Sequence, residues 1–176
     1  YYIIYLLYRL LYYNDKHILK QKTKYYDVTV KYGDPRSEAS RGLLAQSHAL
    51  MESLFPSESN HYLSIDALCV DNIRFFEARI DGVTLGCAAV KIYDGYGEIK
   101  SMFVDPAARG AGLARALLAC LEQEARAESL PVLKLETGNL LTDAHKLYAS
   151  VGFTTTGPFG DYQDDPNSLF MVKALT

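Results

Sequence analysis

Cysteine is scarce in this chain and shows no pairing pattern. The three cysteines, Cys69, Cys87 and Cys120, are odd in number and have no C-x-x-C spacing, which argues against a disulfide framework and a zinc site. Cys120 lies on the apolar stripe of a predicted helix, where a buried thiol is expected rather than a nucleophile. We therefore expect a protein of a reducing compartment, most simply the cytoplasm.

An excess of positive charge is also missing. The formal net charge is −3, so the chain lacks the basic face that a nucleic-acid partner would require. The four histidines have no ligand spacing, and no metal is expected. Internal repeats and low-complexity segments are not found. With 176 residues, 49% of them apolar and 22% charged, the composition predicts one globular domain with a proper core.

The first 24 residues have a composition unlike the rest of the chain. They contain no glycine, alanine, proline or serine, whereas the chain after Ala39 is rich in alanine. Their apolar part, residues 1–13 with Arg9 inside it, is too short to span a bilayer and lacks the marks of a signal peptide. We predict that residues 1–24 form an extension outside the core, that residues 25–176 form the domain, and that no membrane is a partner. An interfacial or partner-binding helix is the alternative for the extension.

The stretch from Gly97 to Ala119 combines a strand, a glycine-rich loop and a helix. Residues 98–104 alternate in polarity, which predicts a strand, and Asp105-Pro106 ends it because proline has no N–H for the ladder. One face of this strand is expected to carry Ile99, Ser101 and Phe103, and the other Glu98, Lys100, Met102 and Val104.

The segment Arg109–Ala114 (RGAGLA) places two glycines directly before the predicted helix. A helix N-terminus has unpaired N–H groups and the positive end of the dipole, and glycine lets a ligand approach the backbone, so the pattern indicates a phosphate site. A tight turn without a ligand is the alternative for this segment alone. The spacing matches neither a dinucleotide fingerprint nor a P-loop, since Arg115 stands where the third glycine would be.

Two motifs together identify a family resemblance. Residues 109–114 fit R-x-x-G-x-A, and Leu147-Tyr148 is followed, after three residues, by Gly152-Phe153. In both features the chain resembles the GNAT superfamily of N-acetyltransferases, whose acetyl-CoA pyrophosphate motif is Q/R-x-x-G-x-G/A after a strand. The resemblance covers roughly residues 25–176. It implies an α+β (α/β/α sandwich) GNAT fold, with a mixed, largely antiparallel sheet splayed between its fourth and fifth strands and flanked by helices.

The polarity pattern predicts the element order β-α-α-β-β-β-α-β-α-β-β, which is that of the GNAT fold. The first helix is expected to start with Asp34 as N-cap and Pro35 in its first turn, and to run to Pro56. A short second helix is expected at residues 65–70. The predicted strands are residues 26–31, 73–80, 84–93, 98–104, 132–137, 153–156 and 169–174.

The resemblance implies which residues hold acetyl-CoA. The backbone of Met102, Phe103 and Val104 is expected to bond the pantetheine arm, and the N–H groups of the loop to hold the pyrophosphate. The loop residues are Arg109, Gly110, Ala111, Gly112, Leu113 and Ala114. Asn139 is a further candidate contact, because Leu141 occupies the position where many relatives carry asparagine. Capping of the following helix is the alternative role for Asn139.

The resemblance also implies the chemistry, which is acetyl transfer from acetyl-CoA to an amine. An alkyl amine with a pKa of ~10.4 arrives protonated, and Glu98 matches a family carboxylate that removes this proton through water. Tyr148 matches a tyrosine that acts as the acid toward the leaving thiolate. The structural alternatives are a solvated strand end for Glu98 and core packing for Tyr148. Backbone N–H groups near Phe103 or Val104 are candidates to stabilise the oxyanion.

The acceptor site is expected in two loops, residues 58–62 and 157–168. The candidate substrate-binding residues are Asn60, His61, Tyr62 and Tyr162. Carboxylates in these loops would favour a cationic amine, and a solvated loop is the alternative.

The sequence predicts a primary amine of a small molecule or a peptide as the acceptor. It leaves the acceptor's identity and the oligomeric state open, a homodimer included. The alternative function is a catalytically silent acyl-CoA-binding sensor or interaction module. The presence of both Glu98 and Tyr148 beside an intact loop favours the enzyme.

Overall fold

The computed structural model describes residues 27–175, so the predicted extension of residues 1–24 lies outside the described part of the chain. The strands are β1 Val28–Tyr32, β2 Ile73–Ile80, β3 Val83–Tyr93, β4 Tyr96–Val104, β5 Val132–Gly138, β6 Thr154–Thr156 and β7 Ser168–Ala174. They form one seven-stranded sheet in the order β1-β2-β3-β4-β5-β7-β6. All neighbouring strands are antiparallel except β4 and β5, which run parallel.

Three α-helices flank the sheet within residues 27–175. They are α1 Glu38–Leu54, α2 Leu113–Ala127 and α3 Thr142–Ser150. Short 3-10 helices lie at Ser57–Ser59, Ala67–Cys69 and Pro106–Ala108. Of the helices in this part of the chain, none has the length and apolar content needed to cross a bilayer.

The helices pack on opposite faces of the sheet and create two apolar cores. On one face, Leu44 of α1 packs with Phe75 and Cys87 of the central strands. On the other face, Leu117 of α2 lies in a larger core that also holds Leu133 of β5. The predicted α+β architecture, with a mixed sheet between helical layers, is confirmed.

Strands β4 and β5 pair only at their beginnings. The paired positions are Gly97 with Leu133, Glu98 with Lys134 and Ile99 with Leu135. Beyond these positions both strands continue, but β5 pairs only with β7 and β4 only with β3. The splay that the family resemblance implied between the fourth and fifth strands is therefore present, and it opens the sheet toward the carboxyl ends of both strands.

The predicted face alternation of β4 is wrong in its second half. Lys100 pairs with Ala89 and Phe103 with Cys87, so two residues of β4 lie opposite one residue of β3. This β-bulge contains Ser101, which has a positive φ of 51°. The extra residue reverses the alternation, so Phe103 packs in the α1 core while Ile99 packs in the α2 core.

The start of α1 also differs from the prediction. Asp34 is not the N-cap, since its carboxylate instead accepts the N–H of Arg36 (2.8 Å) in the preceding turn. The N-cap is Ser37, whose hydroxyl oxygen accepts the N–H of Ser40 (3.2 Å). The predicted second helix is reduced to the 3-10 turn Ala67–Cys69.

We predict that Gly138→Ala destabilises the fold. A Cβ at Gly138, the last residue of β5, would fall inside contact distance of the Phe55 ring. Because Phe55 is buried at the end of α1, the ring has to move, and overpacking of this kind costs about 1–3 kcal/mol. Gly157→Ala is the matched control, since nothing lies within 4 Å of its Cβ position. Chemical denaturation of both variants checks this, and equal midpoints would contradict it.

Candidate active site

A groove of about 740 Å³ lies along the end of β4, which has no pairing with β5. Its walls come from the end of β4, the glycine-rich loop, the first part of α2, one side of α1 and α3 as far as Tyr148. The residues in this lining are Ser47, Leu50, Met51, Met102, Phe103, Val104, Ala108, Arg109, Gly110, Gly112, Leu113, Ala114, Arg115, Leu140, Leu141, Thr142, Asp143, Ala144, Leu147 and Tyr148. The groove is mostly apolar along its length and polar at the loop, which suits a long ligand with one anionic segment.

The glycine-rich loop gives the groove an anion-binding end. Gly112 is the N-cap of α2, with φ 92°, and it offers no side-chain acceptor to the first turn. The N–H groups of that turn are therefore left for a ligand. Gly110 has φ 80°, and a Cβ built at either glycine meets nothing within 4 Å, so the space over the loop is open. These features fit a pyrophosphate held by main-chain N–H groups.

Tyr148 of α3 projects into the groove from the opposite wall. Its side chain is 7% exposed and packs edge-to-face on Phe153, with ring centroids 5.8 Å apart. The hydroxyl lies 3.6 Å from Sδ of Met102 on β4. Burial, helped by the Glu136 carboxylate, raises the pKa of Tyr148 to about 12. The hydroxyl therefore stays protonated at neutral pH and remains a hydrogen-bond donor.

A second pocket of about 440 Å³ lies on the α1 side of the sheet, over the paired ends of β4 and β5. Loops 58–63 and 159–165 close it from above. Its lining is Glu58, His61, Tyr62, Leu63, Lys91, Tyr93, Tyr96, Glu98, Lys100, Phe159, Gly160, Asp161, Tyr162, Gln163 and Asp165. We name it the acceptor pocket, after the two loops in which the acceptor site is expected from the sequence. It shares β4 with the groove, because it reaches Lys100 and the groove starts two residues later at Met102.

Three polar side chains form a hydrogen-bonded triad at the floor of the acceptor pocket. Oε1 of Glu98 accepts from the hydroxyl of Tyr162 (2.6 Å) and from Nζ of Lys100 (3.1 Å). The Lys100 ammonium also donates to the Tyr162 hydroxyl (2.7 Å). Burial and the nearby Glu98 carboxylate raise the pKa of Tyr162 well above its usual value. The triad connects the 157–168 loop to β4 and holds the Glu98 carboxylate next to the point where β4 and β5 stop pairing.

Glu136 is a second carboxylate near the point where β4 and β5 stop pairing, and it is not among the site residues predicted from the sequence. It follows Leu135, the last β5 residue that pairs with β4, and its Oε1 accepts from the Ser168 hydroxyl (2.7 Å). Burial raises the pKa of the Glu136 carboxyl, an effect that the Ser168 bond opposes and the Glu98 charge reinforces. The local sequence LKLETG gives no signal for this, since the position of Glu136 depends on where two strands separate.

The structure brings most of the predicted residues to the two cavities. Tyr148 and all the predicted cofactor contacts except Ala111 and Asn139 lie in the groove lining. Of the other predicted residues, the acceptor pocket contains Glu98, His61, Tyr62 and Tyr162. Ala111 packs against the hydrophobic core. The Asn139 amide instead donates to the carbonyl of Pro166 (2.7 Å). Asn60 is also outside the pocket lining, and its amide reaches the carbonyl of Phe55 at 3.5 Å.

The comparisons with known proteins match this architecture. The model of the acetyltransferase (GNAT) family matches residues 44–153. The chain is 44% identical over 151 residues to the IAA acetyltransferase of Azospirillum brasilense, covering 85% of this chain and 99% of that protein. It is 39% identical over 128 residues to the uncharacterized N-acetyltransferase YsnE of Bacillus subtilis, covering 71% and 85%. A candidate acyl-CoA N-acyltransferase from Klebsiella pneumoniae has a TM-score of 0.73 at 33% identity, covering 85% of this chain and 99% of that one.

We predict that Gly112→Glu weakens acetyl-CoA binding by at least ~100-fold, about 2.7 kcal/mol. The new carboxylate would lie at the N-terminus of α2, where it would compete with the pyrophosphate for the same N–H groups. Gly82→Glu is the matched control, because Gly82 has a similar positive φ of 82° and equally open space but lies in the β2–β3 turn. Titration calorimetry with acetyl-CoA checks both variants. Unchanged affinity in Gly112→Glu would remove the loop from the binding site.

Proposed function

The chain belongs to the GNAT family of acetyltransferases, and we propose that it transfers the acetyl group of acetyl-CoA to a primary amine of a small molecule or peptide. The observation that carries this proposal is the opening of the sheet after Ile99 and Leu135. A groove with an anion-binding loop enters the opening from one side, and a pocket floored by a carboxylate lies on the other. A silent acyl-CoA sensor would need only the groove.

The open edge of β4 supports binding of the acyl donor. Peptide groups of Met102, Phe103 and Val104 that face β5 have no strand partner within residues 27–175, and half-buried peptide groups need a hydrogen-bond partner. A pantetheine arm carries amide groups that can satisfy them. Acetyl-CoA, when bound, supplies the thioester whose carbonyl carbon the amine attacks. Residues 109–114 would hold its pyrophosphate, as the open space over Gly110 and Gly112 supports.

In this proposal Tyr148 stabilises the leaving sulfur. Burial raises the pKa of Tyr148 to about 12, so the hydroxyl keeps its proton and can donate it as a hydrogen bond. Tyr148 therefore acts mainly by donating a hydrogen bond as negative charge develops on sulfur, an interaction that is stronger in the transition state than in the ground state. The proton itself reaches the sulfur after the C–S bond breaks.

In this proposal Glu98 takes the proton of the arriving ammonium through water. Its carboxylate lines the acceptor pocket, where the amine must enter, whereas Glu136 is not in the lining of either cavity. Only Oε1 of Glu98 has hydrogen-bond partners among the described residues, which leaves Oε2 for the amine or a water.

We predict that Tyr148→Phe lowers kcat by ~10²–10³, the usual loss for one donor aimed at developing charge. Phenylalanine keeps the packing on Phe153, and the lost bond to the Met102 sulfur is weak, so the melting temperature should change little. Acetyl-CoA affinity should also change little. Measuring kcat, affinity and melting temperature on this variant separates chemistry from packing, and a near-normal kcat would exclude the donor role.

We predict that Glu98→Gln lowers kcat/KM at neutral pH by ~10²–10⁴, the range for general acid–base catalysis. Activity of this variant should then rise about tenfold per pH unit below the pKa of the amine, because solution supplies the neutral amine instead. Glu136→Gln is the matched control on the neighbouring strand, with an expected loss below about tenfold. A pH–rate profile of both variants checks the assignment. The larger, pH-dependent loss in Glu136→Gln would transfer the base role to that residue.

A further inference from the structure

The floor of the acceptor pocket holds a hydrogen-bond donor and an acceptor that the triad leaves free. An ammonium group has three protons, and Lys100 directs one to Glu98 and one to Tyr162. The third proton of Lys100 and Oε2 of Glu98 have no hydrogen-bond partner within residues 27–175. The side chains of Lys100 and Glu98 are only 10% and 3% exposed, so their charges are poorly screened by water. A ligand on this floor therefore meets an ammonium and a carboxylate oxygen side by side.

The aromatic walls of the pocket already carry lysine ammonium groups on their ring faces. Nζ of Lys91 lies 4.8 Å from the ring centroid of Tyr93. Nζ of Lys134 lies 4.7 Å from that of Tyr96, and its charge also lies 5.2 Å from the Phe159 ring. A second cation on the ligand would meet like charges at these faces instead of free π surfaces. The walls therefore favour an uncharged apolar or aromatic group.

The carboxylates at the top of the pocket do not reverse this preference. Glu58 and Asp161 are exposed, so their attraction for a cation is screened by water and salt. Asp165 is already engaged, because its carboxylate accepts the N–H of Asn167 (2.8 Å). The loop carboxylates that the sequence suggested for a cationic acceptor thus lie away from the buried floor. It is at this floor that the polar groups of a ligand need hydrogen-bond partners.

We propose that the acceptor is a free α-amino acid with a large apolar or aromatic side chain, an inference that rests on the proposed acetyltransferase function. Its α-ammonium faces Oε2 of Glu98, and its α-carboxylate accepts the third proton of Lys100. Its side chain lies against the ring edges of Tyr93, Tyr96 and Phe159, because Tyr93 and Tyr96 stack on each other with centroids 4.7 Å apart. The pocket volume of about 440 Å³ is sufficient for such a molecule.

The reaction balances with the groups at hand. The ammonium loses one proton through water to Glu98 before attack. Its nitrogen then forms the N–C bond to the acetyl carbon while the C–S bond breaks with both electrons on sulfur. The second proton leaves nitrogen as the amide forms, and it ends on the sulfur. The products are an N-acetyl amino acid and free coenzyme A.

The wild-type enzyme tests the inference with four acceptors that share or lack the relevant groups. They are phenylalanine, phenylalaninamide, phenethylamine and spermidine, each measured by thiol release from acetyl-CoA. A hydrogen bond to a charged group contributes about 1.5–3 kcal/mol, so phenylalanine should exceed phenethylamine by about 10- to 100-fold in kcat/KM. Phenylalaninamide, which has a carbonyl but no charge, should fall between them, and spermidine should be the poorest.

Variants identify the residue that recognises the carboxylate. Lys100→Gln should reduce the phenylalanine-to-phenethylamine ratio of kcat/KM to within about threefold of one. Lys31→Gln, on the exposed edge strand β1, should keep the wild-type ratio. Acetyl-CoA affinity shows whether each variant is folded. If Lys100→Gln does not fold, the four-amine comparison on the wild-type enzyme still tests whether the acceptor is an amino acid.

Two results would overturn the inference in distinguishable ways. If phenethylamine or spermidine is acetylated as efficiently as phenylalanine, the amino-acid assignment is wrong, while the acetyltransferase function still stands. Acetyl-CoA binding with no thiol release for any of the four amines would overturn the inference, and it would also contradict the proposed transfer to small-molecule amines.

Discussion

Strands β4 and β5 share only three paired positions, Gly97–Leu133 to Ile99–Leu135, although both strands extend well past them. Main-chain N–H and C=O groups that lose their neighbour in a sheet need another partner, and here the partner has to come from outside the described chain. The groove, the anion-binding loop and Tyr148 all lie along this opening. The site therefore depends on where two parallel strands stop pairing more than on any one side chain.

Strand β4 contributes residues to both the groove and the acceptor pocket. The β-bulge at Ser101 reverses the alternation of β4 between Lys100 and Phe103. As a result Glu98 and Lys100 face the acceptor pocket, whereas Met102 contacts Tyr148 across the groove. In the proposed reaction, this one strand would position both the groups for the amine and the groups for the thioester. A regular strand of the same sequence would place Met102 on the Glu98 face.

Local patterns in the sequence predicted those features of the fold that depend on only one short segment of the chain. An Asp-Gly pair between two strands is a strong hairpin signal, and the Asp81-Gly82 turn between β2 and β3 has the positive φ at both residues that such a turn requires. Gly110 and Gly112 are likewise left-handed at the start of α2, and the loop prediction follows from those two residues alone. The polarity pattern supplied the order of the elements along the chain, and the family resemblance supplied the splay, which no short pattern contains.

The sequence patterns did not predict contacts between residues that are far apart along the chain. Glu98 and Tyr162 are 64 residues apart, and their hydrogen bond depends on a loop that folds over β4. The same holds for Glu136, whose place near the site depends on where β4 and β5 separate. Asn139 was a reasonable candidate by position, but its side chain instead joins the β5–α3 connection to Pro166. In each case tertiary packing decides what a polar side chain contacts, and periodicity carries no information about it.

Amide hydrogen exchange with and without saturating acetyl-CoA tests the open-strand account most directly, because it reports on the main-chain groups themselves. The account predicts that exchange slows at Met102 and Val104, whose N–H groups face away from β3, and at residues 110–115, while the amides of β1 and β2 change little. Unchanged exchange along residues 102–104 in the saturated protein would contradict it.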